Sequence, residues 1–222
     1  MSAHRPESLW PARLVILAVI GLNLTLSEHL TLGPNWLLPL LETLLLIPLD
    51  IVRVKERQRL IRVGHRQMDW SQGGRGLAIA MIALMHLTNL GSLGLLVADL
   101  LKGSSASGAS LLAGALSIWV TNVLVFSLWY WEVDLGGPLR RTEGGRYPDF
   151  QFPQSTPSSL APPDWRPKYL DYLFTAFTNA AAFSPADTLP LTRRAKGLMT
   201  FQAATSMLTV VLVASRAVNI LK

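Results

Sequence analysis

From Gly197 to Ser215 the chain carries no charged residue, and at about 1.5 Å per residue a helix of that length nearly matches the roughly 30 Å of bilayer hydrocarbon. A membrane span is expected there. The apolar run before it, Tyr169 to Phe183, opens after Pro167 and is broken by Ser184, Pro185, Asp187 and Pro190. It is too short to cross, and fits a re-entrant or interfacial element. Irregular backbone at membrane depth persists only when buried in protein or facing a water-filled cavity, so half-helix, polar turn and full helix in series predict a pore loop.

Half of the 222 residues are hydrophobic and 15% are charged, a balance that a soluble domain of this size rarely tolerates. The absence of cysteine excludes disulfide scaffolds, thiolate metal sites and cysteine nucleophiles. The net charge of +6 comes from Lys and Arg residues that cluster beside apolar runs, which indicates membrane topology and not a nucleic-acid surface. Arg5 and Arg13 precede the first apolar run with no small-residue cleavage site after it, so it reads as an uncleaved first helix.

Five spans are predicted: Arg13 to Leu30, Trp36 to Val52 with kinks at Pro39 and Pro48, Gly76 to Leu101, Ala109 to Trp131, and the last helix. The first two form a hairpin across Gly33-Pro34-Asn35, and the next two join through the flexible KGSSASG turn. A basic segment from Arg53 through Lys55, Arg57, Arg59, Arg62 and Arg66 to Arg75 separates the hairpins, and a linker rich in proline runs from Glu132 to Lys168. The expected organisation is an N-terminal unit, 1–104, and a channel-like pore unit, 105–222. The basic segment and the arginines of the linker lie two spans apart, so the bias of Lys and Arg toward the cytoplasm places both, and the N-terminus, inside. The pore-like segment then enters from the cytoplasmic face.

The run FTAFTNAAAFSPADTLPLTRRAK resembles the pore helix, filter and inner-helix start of potassium-channel pore domains, with Phe174, Thr175, Thr178, Pro190, Leu191 and Arg193 in the pattern. It is also similar to bacterial integral-membrane proteins with a degenerate channel-like C-terminal segment, where Phe183, Asp187 and Thr188 match. The resemblance implies a homo-oligomer, a tetramer by analogy, in a bacterial plasma membrane, passing monovalent cations. Filter glycines let the backbone turn its carbonyls onto a dehydrated ion. Here the corresponding stretch reads Asn179, Ala180, Ala181, Ala182 and Phe183, so a carbonyl filter selective for potassium is not expected. Rings of Asn179, Ser184 or Asp187 side chains would favour partly hydrated cations in a wider opening. Thr178, Asn179 and Ser184 are placed nearest the constriction, supported by Thr175 on the half-helix and by the stripe Gln202, Ser206 and Thr209 on the last helix, whose spacing puts it on one face.

Three polar residues at membrane depth complete the candidates. Glu42 in the second span is expected to face protein, water or a cation, because an ionised carboxylate costs about 2.5–3.5 kcal/mol on insertion scales. His86 is mid-helix without a convincing partner, and Asn122 is positioned to bond across helices. Trp129, Tyr130 and Trp131 read as interfacial anchors. No catalytic constellation, nucleotide loop, cofactor or metal set appears, so an enzyme is not expected. The resulting expectation is an all-α integral membrane protein with about five transmembrane helices and a re-entrant pore-like half-helix, acting as a weakly selective cation pore with the lipid bilayer as its medium. A non-conducting scaffold that binds a partner through the proline-rich linker is the alternative, and a small-solute transporter comes third.

Overall fold

The structure, a computed structural model, describes residues 7–63, 73–102, 108–141, 146–156, 160–162, 164–182, 184 and 187–220, the last five by backbone alone. Arg66, Phe183 and most of the KGSSASG turn lie outside the described residues. The described chain is all-helical, with α1 (Trp10–Thr25), α2 (Leu37–Val63), α3 (Gly73–Leu101), α4 (Gly108–Val133), α5 (Tyr169–Ala181) and α6 (Arg193–Ile220). Two short strands, β1 (Phe150–Gln151) and β2 (Leu189–Pro190), pair antiparallel.

Local chemistry sets the helix ends. α1 stops at Thr25, whose hydroxyl turns back to the Leu22 carbonyl at 2.8 Å while Leu26 becomes extended. The first helix is therefore shorter than the expected run to Leu30, and Glu28–Leu30 forms a separate 3-10 turn. α6 starts at Arg193, ahead of the expected Gly197, because Thr192 caps it by accepting the Ala195 N–H at 3.2 Å. α2 corrects a larger expectation. It continues past Val52 for 27 residues in all, so Arg53 to Arg62 lie on a helix and not in a loop. The Arg, Lys, Glu and Gln residues there are good helix formers, and nothing among them terminates the helix.

Three helices, α3, α4 with its following turn, and α6, are long and apolar enough to cross a membrane. α1 is apolar but has only 16 residues, and α2 carries Glu42, Asp50 and Arg53 within its apolar half. The surface suits hydrocarbon: Leu14, Leu17, Leu44, Leu87, Leu116 and Val211 are among many large apolar side chains left exposed.

α4 is the central helix and packs against α1, α3, α5 and α6. Tyr130 and Trp131 are buried in that packing, so they are not the lipid-facing anchors expected of them. The Trp131 ring meets Tyr169 edge-on at 5.6 Å, and Phe126 and Tyr130 lie within 6.0 Å. Farther along α4, Leu30 reaches over Gly114, where a Cβ would stand 2.4 Å from the leucine methyl. That close approach seats the turn after α1 on a second apolar cluster with Leu93, Leu96, Leu111 and Ile118.

The linker after α4 is not a solvated tether over its described residues. Asp134 accepts the backbone N–H groups of Asp149 at 2.7 Å and Phe150 at 3.3 Å, and Phe150 and Phe152 are buried. Their rings pack on Tyr172 of α5, 6.3 and 5.3 Å away. β1 then pairs with β2 just before α6. The end of α4, the start of α5 and the start of α6 thus meet at one end of the bundle, and α5 leaves from and returns to that end.

Candidate functional site

α5 turns its polar groups inward. Pro167 and Lys168 precede it, and Asp171 caps it by accepting the Lys168 backbone N–H at 2.7 Å. Tyr169, Tyr172, Ala176 and Asn179 fall at helical spacing and are buried, whereas Leu170, Phe174 and Phe177 are exposed. A short helix with hydroxyls inside and apolar rings outside is the reverse of the soluble pattern.

The buried face makes a polar lattice with α4 and α6. Asn179 donates from Nδ2 to Gln202 Oε1 at 2.8 Å and to the Met199 carbonyl at 3.0 Å. Tyr130 donates to the same Gln202 oxygen at 2.5 Å, and Gln202 Nε2 donates to the Ala176 carbonyl at 2.8 Å. One turn on, Asn122 donates to Ser206 at 2.7 Å. Toward the α5 start, the Ser127 and Tyr169 hydroxyls form a short hydrogen bond. Thr175 meets Thr188 at 3.1 Å, which ties the half-helix to the strand that follows its turn. Thr209 is buried farther along the same face of α6, its hydroxyl bonded to the Thr205 carbonyl at 2.8 Å.

These contacts place the candidate residues. Asn179 is 2% exposed and bonded within its own subunit, so its amide is not presented to an opening. The Gln202, Ser206 and Thr209 stripe does share one face, but that face packs inside the subunit. Thr178 is half-buried, with its hydroxyl bonded back to the Phe174 carbonyl at 3.0 Å, and Ala180 is buried. Ala181 and Ala182 are exposed at the far end of α5, and Ser184 and Asp187 are exposed on the stretch that follows it toward Thr188. His86 packs its ring against Phe126 at 4.9 Å and Phe201 at 5.3 Å. Glu42 is fully buried and accepts from Asn23 Nδ2 through both oxygens, at 3.0 and 3.2 Å. Asn23 was not among the candidates, although its place within an apolar run was a usable signal.

Sequence reasoning also missed an ionic network where the helix ends meet. Glu132 is 1% exposed and accepts from Arg53 at 2.6 Å, so α4 is bound to α2 through charge. Arg141 is buried over the Tyr172 ring, 4.7 Å from its centre, and donates to Glu7 at 2.7 Å and to the Trp131 carbonyl at 2.8 Å. Burial raises the Glu7 carboxyl above the ordinary carboxylate range, while the nearby Arg141 charge and the Tyr169 N–H oppose the shift. Asp149 accepts from Thr192 at 2.5 Å and from Arg194 at 3.2 Å. No group of three or more His, Cys, Asp or Glu side chains suited to a metal occurs among the described residues.

Comparison of the chain with family models, curated proteins and solved structures gives no significant match.

Proposed function

We propose that this chain is one subunit of an oligomeric, channel-like pore for partly hydrated cations in a bacterial plasma membrane. The observation that carries this reading is the course of α5: a 13-residue helix held between α4 and α6, starting at the end of the bundle to which the chain returns at β2, with Ala181, Ala182, Ser184 and Asp187 exposed at and after its tip. At about 1.5 Å per residue α5 reaches roughly 20 Å inward, about two-thirds of the hydrocarbon thickness, so the reading makes it re-entrant. The opening is then lined by Ala181, Ala182, Ser184 and Asp187, while Asn179 and Gln202 brace the half-helix from behind. A ring of Asp187 carboxylates favours cations, and the absence of glycine in the turn leaves no basis for strict potassium selection.

α2 completes five spans in this reading, because each charge in its apolar half has a partner. Glu42 meets Asn23, Asp50 meets Arg13 at 2.5 Å, and Arg53 meets Glu132. Paired charges are the form in which a spanning helix tolerates them. A second reading, a non-conducting scaffold with a channel-like fold, draws on the polar lattice itself: the amide that the sequence offered as a pore lining is saturated inside one chain.

Two measurements bear on the assembly. The detergent-solubilised particle should have the mass of several chains, since one pore loop cannot enclose a conduit. A particle of one chain's mass excludes the pore. The charge bias puts the 132–168 linker in the cytoplasm. Ser155 is exposed, so in this cysteine-free chain Ser155→Cys should resist a membrane-impermeant maleimide in intact cells and react after lysis. Labelling in intact cells reverses the topology.

A further inference from the structure

A cavity of about 180 Å³ opens at the end of the bundle where the ionic network lies, lined by Arg75 of α3, the last residue of α4 with Leu135 and Gly136 after it, Arg146 and Asp149 before β1, and Arg194 of α6. Among the described residues its lining carries three guanidinium groups and one carboxylate, and Arg146 also engages a neighbouring group. That carboxylate is occupied, since Asp149 already accepts from Thr192 and Arg194. The nearby Glu132 is held by Arg53 at 2.6 Å and stands 3.9 Å from Arg75, too far for a hydrogen bond. Arg75 keeps a buried Nε without a hydrogen-bond partner, and the Glu132 carboxylate acts on its charge against the guanidinium groups of Arg140, Arg194 and Arg146.

One wall is shaped by an unusual backbone. Leu135, Gly136 and Gly137 all have positive φ, at 54°, 84° and 98°. Leucine rarely adopts that conformation, and such strain persists only where the surroundings enforce it. A Cβ on Gly136 would come within 3.0 Å of Arg146 Nη1, so the glycine keeps the cavity open beside that guanidinium. At about 180 Å³ the cavity is well above the ~10–15 Å³ that a single water needs, and it has room for a tetrahedral oxyanion.

We infer that this cavity is a binding site for a phosphate oxyanion, most naturally the headgroup of an anionic phospholipid. The inference rests on reading this end as the membrane–water boundary, and does not depend on conduction. Arginine forks suit phosphate oxygens, and a basic pocket between helices at that level suits a headgroup.

The test is made on the full-length protein in its purified assembly. Protein in neutral phosphatidylcholine is titrated with phosphatidylglycerol, and separately with inorganic phosphate, while retained lipid is read by native mass spectrometry and stability by thermal unfolding. Phosphatidylglycerol should be retained and should raise the unfolding temperature, and R146Q/R194Q should weaken its binding by at least about tenfold. K55Q/R59Q removes two exposed charges from α2 and should leave binding unchanged, which separates a site from general surface attraction. Stabilisation by inorganic phosphate alone, lost in R146Q/R194Q, keeps the oxyanion site but assigns it to a soluble ligand. If R146Q/R194Q does not fold, the wild-type comparison decides: equal retention of phosphatidylglycerol and phosphatidylcholine, with no phosphate effect, overturns the site. Equal weakening by K55Q/R59Q overturns it as well.

Discussion

Arg53→Met is expected to destabilise the protein by about 3–5 kcal/mol, because it leaves the Glu132 carboxylate buried without its main partner. Arg75, 3.9 Å away, does not replace a 2.6 Å contact. The cost belongs to the orphaned charge and not to a missing favourable pair, so R53M/E132L should recover most of it. Unfolding of both variants in one detergent gives the comparison. A loss from R53M below about 1 kcal/mol, the size of an exposed pair, would mean that water reaches Glu132.

Gln202→Leu is the second large effect, at about 2–4 kcal/mol. The substitution removes the acceptor shared by Tyr130 and Asn179 and the donor to the Ala176 carbonyl. Each buried polar group left unpaired costs roughly 1–3 kcal/mol in a dry interior. Helix-to-helix hydrogen bonds in membranes average nearer 0.6 kcal/mol, which holds the total below a simple sum. Thr205→Val is the control, because that hydroxyl bonds mainly to the Phe201 and Gln202 carbonyls of its own helix, at 3.0 and 2.9 Å. It should cost far less. Equal losses from the two variants would show that the lattice does not fasten α5 to α6.

The helical character of the chain and the brevity of α5 were legible in the sequence, because uninterrupted apolar runs and proline breaks are local signals. The direction in which a side chain points was not. Gln202, Ser206 and Thr209 share a face by spacing alone, but spacing does not say whether that face meets a neighbouring subunit or the same chain's α4. The aromatic run at the α4 end read as an interfacial belt, although Tyr130 and Trp131 are enclosed by elements that arrive much later in sequence. Arg53 with Glu132, and Glu7 with Arg141, are separated by most of a domain, so no pattern along the chain could pair them. Asn179 was legible only as a polar residue in an apolar run, and the position of Gln202 shows it to be a brace.

The most direct test of the proposed pore is cation flux from proteoliposomes that contain the purified wild-type protein. Sodium and potassium should leave at comparable rates, and Asp187→Asn, at an exposed position outside the polar lattice, should lower both without changing the unfolding temperature. Flux no greater than from protein-free vesicles, in a preparation that keeps its assembled mass, or selection of potassium over sodium by orders of magnitude, would contradict a weakly selective pore lined by this turn.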